Sequence, residues 1–257
     1  GGCNMPLLVD LNCDLGEGLT GDSAERDREL MSHISSCSIA CGGHAGSADS
    51  MQWTVDAALQ AQLRLGAHPS YPDRAQFGRV SIPMPLPALC ASITEQVVAL
   101  TEIIEVAGGK LRFVKPHGAL YNDMAQDSSL ASAVLQTIKA IDPSLSVMGL
   151  AGSLVGNLSQ DLGVGFIGEA FADRRYLDNG HLAPRSEVGA VIHDSAEAVE
   201  QIISIVQRSE ITSITGRLLP LTANTICVHG DNPGALSHLE HISAALKDAG
   251  VTVCAPQ

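Results

Sequence analysis

Six stretches of the chain carry side chains that can ligate, hold charge or move protons: Asp10, Asn12 and Asp14; Cys41 and His44; His68 and Ser70; Lys115 and His117; Glu169 and Asp173; His229 and Asp231. In the first stretch the polar residues fall at every second position, so an extended segment presents all three on one face. Carboxylates that close can bind a metal or raise one another's pKa for proton abstraction, although Asp and Asn in turns also satisfy loop backbone. His44 lies in Ala40-Cys-Gly-Gly-His-Ala-Gly46, and His68 in Gly66-Ala-His-Pro-Ser-Tyr-Pro-Asp73. A lone His is more often a core or surface residue than a ligand. Two of them, flanked by Gly or Pro and set beside Asp14, suit either a proton relay or a divalent metal held by Asp14, His44 and His68. No HExxH spacing decides between the two.

In Phe113-Val-Lys-Pro-His117 an ammonium and an imidazole stand two residues apart on an extended segment and face the same way. A Lys there can hold an anion, stabilise an oxyanion or pair with a carboxylate, and its neighbour can move a proton. The stretch from Glu169 through Asp173 to Arg185 gathers Arg174, Arg175 and Arg185. Guanidinium groups match carboxylate or phosphate bidentately, so the stretch reads as an anion-recognition segment or as an ion-pair network with Glu169, Asp173 and Glu187. The last cluster, Cys227-Val-His-Gly-Asp231-Asn-Pro233, ends in a tight turn. The chain has no GxGxxG, no GxxxxGK[ST] and no GxSxG, so the dinucleotide, Walker-type ATP and serine-hydrolase motifs are missing.

Such clusters need elements that bring them together. Apolar runs predict strands over 7–14, 38–43, 65–70, 111–117, 146–151, 165–172, 225–230 and 251–255. Amphipathic stretches predict helices over 24–35, 50–62, 87–107, 129–141, 154–162, 195–208 and 234–249. Asp194-Ser195 reads as an N-cap, and Gly108-Gly109 as a helix stop. Strand and helix alternate, which is the signature of βα units around a parallel sheet, either barrel or doubly wound. In both, strand C-termini emerge on one face, so the polar clusters converge at one mouth.

At 257 residues the chain suits a single α/β domain over 7–257, with residues 1–6 expected to be an appended or unstructured start. Hydrophobic residues make up 45% and charged residues 17%, enough for a large core and too apolar for disorder. Asp plus Glu number 28 against 15 Lys plus Arg, a net charge of −13 that repels nucleic acids and anionic lipid. Aromatic residues at 3% offer no stacking platform. No apolar run approaches the roughly 18 residues of a membrane helix and no signal-peptide pattern opens the chain, so a cytoplasmic protein with a small-molecule site is expected. Seven cysteines without a CxxC pair read as reduced, mostly buried thiols.

The ordered set Asp10-Leu-Asn-Cys-Asp-Leu-Gly-Glu17, Ile39-Ala-Cys-Gly-Gly-His-Ala-Gly46, Gly66-Ala-His-Pro-Ser-Tyr-Pro-Asp73, Val114-Lys-Pro-His-Gly-Ala-Leu-Tyr-Asn122, Glu169-Ala-Phe-Ala-Asp-Arg174 and Cys227-Val-His-Gly-Asp231 closely resembles the LamB/YcsF family. The resemblance runs from about Leu8 to the C-terminus. Two positions depart from it: Gly43 stands where the family usually has a bulky aromatic, and Ser47-Ala48-Asp49 replaces its usual Asp-Pro.

The resemblance implies a (β/α)7 barrel of the glycoside hydrolase/deacetylase type and the role of the A subunit of an ATP-dependent 5-oxoprolinase. Such a subunit works with B and C partner subunits, opening 5-oxo-L-proline to L-glutamate while ATP, with magnesium, becomes ADP and phosphate. An unstrained lactam resists opening, and phosphorylation of its carbonyl oxygen supplies the drive. In the absence of a nucleotide loop here, B and C are expected to phosphorylate, and this chain to hydrolyse the activated lactam. Asp14 or His44 would then deprotonate water, His68 or His117 would move the proton to the ring nitrogen, and Lys115 and Arg174 would hold the phosphate or substrate carboxylate. Asp10, Asn12, Glu169, Asp173, His229 and Asp231 would bind or orient the substrate. Two other readings stand beside this one: a metal-dependent, deacetylase-like hydrolase of an amide or carbohydrate, and a non-catalytic substrate-binding subunit. A homo-oligomer is compatible with either.

Overall fold

The computed structural model describes residues 6–18, 21–230 and 234–256. Ten strands and eight α-helices follow in the order β1 (Leu7–Leu15), α1 (Gly21–Met31), β2 (Ser36–Ala40), α2 (Ala48–Gln60), β3 (Arg64–His68), α3 (Leu86–Val106), β4 (Leu111–Val114), α4 (Gly118–Met124), α5 (Ser128–Ile141), β5 (Ser146–Leu150), α6 (Leu154–Leu162), β6 (Gly165–Phe171), α7 (Ser195–Ile203), β7 (Glu210–Thr212), β8 (Leu218–Pro220), β9 (Thr225–Cys227), α8 (Ala235–Asp248) and β10 (Val251–Val253). Strands β1, β2, β3, β4, β5, β6 and β9 pair in parallel in that order, and β9 returns to β1. The result is a closed seven-stranded barrel ringed by helices, the single α/β barrel that the alternating pattern and the resemblance implied.

The long β1 closes the barrel with its middle third. Asp10–Asn12 pair with β9, while Leu7–Val9 pair with β10, which lies outside the ring. β7 and β8 form a small antiparallel hairpin. Neither this hairpin nor the short α4 is marked by sequence periodicity. The predicted strands over 38–43, 111–117 and 225–230 end earlier, at Ala40, Val114 and Cys227, so His44, Lys115, His117 and His229 all lie just past their strands.

Packing of the helices follows from their apolar stripes. Leu89, Ile93, Val97, Leu100 and Ile104 recur along one face of α3 and are at most 1% exposed, each stabilising the fold by roughly 2 kcal/mol. The N-cap before α7 behaves as read, Asp194 accepting the Ala196 N–H at 2.7 Å; the structure adds a capping box of Ser47 and Ser50 on α2, at the Ser-Ala-Asp departure. Inside the ring, Phe113, Met148 and Ile167 form an apolar plug, with the Phe113 ring lying where a Cβ on Gly66 would stand. Among the described residues Cys13, Cys37, Cys41 and Cys227 are buried free thiols, Cys90 is half-buried and Cys254 exposed. No helix among them is long and apolar enough to cross a membrane.

Candidate functional site

Asp10, Asn12 and Asp14 share the inward face of β1, as their alternation predicts, but not the same depth. A strand rises about 3.3 Å per residue, which puts Asp10 about 13 Å below Asp14. Asp10 is paired opposite the first residue of β9, and its Oδ1 accepts hydrogen bonds from Ser35 Oγ at 2.6 Å and Ser36 Oγ at 2.7 Å. It closes the N-terminal end of the barrel and does not reach the mouth; the expectation that it binds substrate is corrected accordingly.

Above the plug lies a charged layer. Lys115 Nζ sits 2.8 Å from Glu169 Oε2 and 3.0 Å from Asp14 Oδ1, and donates to Asn12 Oδ1 at 3.3 Å. Asn12 Nδ2 in turn donates to Glu169 Oε2 and Thr225 Oγ1, both at 2.9 Å. Burial alone would lower the Lys115 pKa; the carboxylates of Asp14 and Glu169 outweigh it and hold the ammonium charged. With 3% of its side chain exposed and its donors spent on carboxylates, Lys115 does not hold a substrate anion, contrary to expectation. Burial would raise Asp14, but His68 and Lys115 prevail and keep its carboxyl well below the usual range. Asp14 is also the most open member of this layer, with 22% of its side chain exposed.

At the rim three imidazoles converge. His44, His68 and His117 follow β2, end β3 and follow β4, respectively. The His44 and His117 rings stack at 3.5 Å between centroids with planes 8° apart, and His68 meets His117 edge-on. The carboxylate that completes the group is Glu17, from the turn after β1. Its Oε1 lies 2.9 Å from His44 Nε2, 3.7 Å from His117 Nδ1 and 3.8 Å from His68 Nε2. One ligand atom from each of Glu17, His44, His68 and His117 lies within 4.8 Å of all the others. The grouping differs from the expected Asp14, His44 and His68: Asp14 pairs with Lys115 and lies 3.4 Å from His68, while Glu17 and His117 cluster with the two histidines. Sequence reasoning passed over Glu17, which lies beyond the strand, although its Gly-Glu-Gly setting matches the glycine flanks of His44.

The backbone fixes two of these rings. His68 Nδ1 donates to the Lys115 carbonyl at 2.7 Å, and His117 Nε2 to the Phe77 carbonyl at 2.8 Å. Phe77 has φ 56° and Gly78 φ 63°, a tight left-handed turn over the site. A Cβ on Gly78 would stand 3.0 Å from His117 Cδ2 and 3.1 Å from His44 Cβ, so this close approach requires glycine. Burial first, then the neighbouring His68, hold His44 at about 2; burial, His68 and His44 hold His117 at about 3. Both rings are neutral at pH 7. Burial also opposes a charge on His68, but Asp14 and Glu17 overcome it and raise its pKa.

Gly43 contributes to the same wall. A Cβ there would fall 2.3 Å from Gln96 Oε1, and Gln96 is pinned by hydrogen bonds to both the N–H and the carbonyl of Ser70. The Gln96 amide thus fills the space beside Gly43.

The arginines separate. Arg175 pairs with Glu197 at 2.8 Å on the surface. Arg174 is buried at 9% exposure and donates to the Ala183 carbonyl at 2.8 Å, which ties down the segment between β6 and α7; the expectation that it grips substrate is corrected. Arg185 is the exposed guanidinium. It lies 3.1 Å from His229 Nε2, while His229 Nδ1 lies 2.7 Å from Asp173 Oδ1. The Phe171 ring stacks on His229 at 5.9 Å and lies 5.9 Å from Lys115 Nζ, linking this pair to the charged layer. Asp231, the remaining predicted site residue, lies outside the described residues.

Comparison with known proteins bears on this arrangement. The profile of the LamB/YcsF family matches residues 9–257. The crystal structure of a lactam utilization protein from Thermus thermophilus is similar over 96% of this chain and 99% of that one, at 35% identity and TM-score 0.90. Two more distant structures share the fold alone. A putative cellobiose-phosphate cleavage protein from Enterococcus faecalis matches at TM-score 0.57 and 13% identity, over 98% of each chain. The catalytic domain of a peptidoglycan N-acetylglucosamine deacetylase from Eubacterium rectale matches at 0.52 and 9%, over 99% of this chain and 90% of that one.

Proposed function

The chain belongs to the LamB/YcsF family, and from that membership we propose that it acts in lactam utilisation as the A subunit of an ATP-dependent 5-oxoprolinase. The observation that carries the reading is the rim cluster of Glu17, His44, His68 and His117 beside the ionised Asp14, in a barrel 35% identical to a lactam utilization protein. The substrate is 5-oxo-L-proline with its carbonyl oxygen phosphorylated at the expense of ATP, magnesium accompanying the nucleotide. Partner B and C subunits carry the nucleotide chemistry, since this chain lacks a phosphate-binding loop.

Water adds to the activated lactam carbon. The ring C–N bond then breaks and the nitrogen takes a proton, leaving an acyl phosphate that a second water cleaves to glutamate and phosphate. Asp14 orients the attacking water and takes its proton, which then returns to the ring nitrogen. His68 with a raised pKa next to His117 with a lowered one gives the acid and base partners of such an exchange, 3.0 Å apart. Arg185, held by His229, is the guanidinium placed to bind the substrate's carboxylate or phosphate.

The test is glutamate release from 5-oxoproline, with and without ATP, by this protein alone and mixed with the B and C subunits of its host. ATP-dependent release only in the mixture is the expected result. No release from any mixture of folded proteins would overturn the reading and turn attention to other amides.

A further inference from the structure

We infer that Glu17, His44, His68 and His117 bind a single divalent transition-metal ion of the zinc class. Ring orientation and spacing point to the ion whichever amide the site opens. His68 and His117 each spend one ring N–H on a backbone carbonyl, so the second nitrogens, His68 Nε2 and His117 Nδ1, face each other across 3.0 Å. Two lone pairs at that distance repel unless a proton or a cation lies between them. An imidazole whose far nitrogen is tied to a carbonyl is the usual arrangement of a metal-bound histidine, because the outer hydrogen bond fixes both tautomer and aim.

The spacing approaches that of a coordination shell, with the His44 ring, stacked on His117 with planes 8° apart, tilting to bring its nitrogen onto the ion. Ligands about 2.0–2.2 Å from one ion stand about 3–4 Å apart. Here His68 and His117 are 3.0 Å apart, and Glu17 Oε1 lies 2.9, 3.7 and 3.8 Å from His44, His117 and His68. Three imidazoles and one carboxylate form a nitrogen-rich set that favours zinc, cobalt or nickel over magnesium or calcium, which prefer oxygen. Charge also fits. Asp14 and Glu169 flank the ammonium of Lys115 while Glu17 lies among the histidines, so three carboxylates face one ammonium and the site carries formal negative charge that a dication neutralises. When bound, such an ion polarises a carbonyl and acidifies a water molecule. Asp14, 3.4 Å from His68 Nε2, is then left outside the ligand set as the proton-accepting carboxylate.

The full chain, stripped with chelator, is titrated with zinc by calorimetry and with cobalt by visible absorption, and the zinc-loaded protein is measured by X-ray absorption at the zinc edge. Expected are one ion per chain and an absorption spectrum that fits three imidazoles. Glu17→Gln and His117→Ala should each weaken binding by about 100-fold or more, while Asp14→Asn, outside the set, changes it only a few-fold. Wild-type protein that is folded yet binds neither ion at about 100 μM overturns the assignment. So does a zinc shell with two or fewer imidazoles, a readout that needs no variant. None of these measurements uses lactam turnover, so the metal assignment and the 5-oxoprolinase reading fail independently.

Discussion

Lys115 and Glu169 meet at 2.8 Å inside the barrel with 3% and 0% of their side chains exposed. Such a pair gains little over apolar side chains of the same size, but breaking it leaves a charge with no water to solvate it. Lys115→Met abandons both Glu169 and Asp14 and should destabilise the protein by about 3–5 kcal/mol. The additional change Glu169→Leu should recover part of the loss. Urea unfolding of the single and double variants checks this; an unchanged midpoint for Lys115→Met would remove the pair from the stability of the barrel.

His117 belongs to the rim cluster in the proton-transfer and metal readings alike. In the reconstituted, ATP-dependent assay, His117→Ala should lower kcat by about 100-fold or more, the scale of a positioned acid or base. Wild-type turnover in a folded variant excludes His117 from the chemistry.

Arg185 predicts a different kinetic signature. A guanidinium that grips the substrate equally before and during the reaction contributes uniform binding, so Arg185→Ala should raise KM about tenfold and leave kcat within a few-fold. Arg174→Lys, which disturbs the buried tie to Ala183, should act on stability instead. Steady-state kinetics alongside thermal unfolding separates the two arginines, and a KM unmoved by Arg185→Ala refutes the anion-binding role.

Asp27 gives a pH signature from just behind the Glu17 turn. Burial raises its pKa to about 6, although the Gly16 N–H donates to its Oδ2 at 2.9 Å; in the unfolded chain it titrates near 3.9. Between those values the unfolded chain releases the proton while the folded chain keeps it, so stability falls as pH rises from about 4 to about 6 and levels off above. Asp27→Asn keeps an acceptor for Gly16 and loses that slope. Relative to wild type it should gain about 1–2 kcal/mol at pH 7 over pH 4, after discounting for partial exposure. Equal differences at the two pH values would contradict a raised Asp27.

A parallel α/β sheet with one mouth was legible because the strands begin apolar and six stretches end in polar residues; its closure into a barrel was implied by the resemblance, since a doubly wound sheet has the same pattern. His44, His68 and His117 were legible for the same reason. Depth, partner and distance were not. The alternation of Asp10 with Asp14 assigns a face but not a height, and β9 decides that Asp10 lies at the far end. Glu17 follows no periodicity, and only the closure of the ring carries its turn over the histidines. Arg174 and Arg185 look interchangeable in sequence; the fold buries one against Ala183 and leaves the other on His229. The β7–β8 hairpin and α4 are too short to carry a hydrophobic period.

The plug of Phe113, Met148 and Ile167, with Asp10 and its serines beneath it, makes the barrel a blind vessel with one doorway. Whatever enters past Arg185 leaves by the same route, so the chain cannot serve as a conduit threading an intermediate from one end to the other. Under the proposed division of labour, a partner handing over a short-lived intermediate would have to deliver it at the histidine rim. Traffic through that doorway is single file, and product lingering there competes directly with the next arrival.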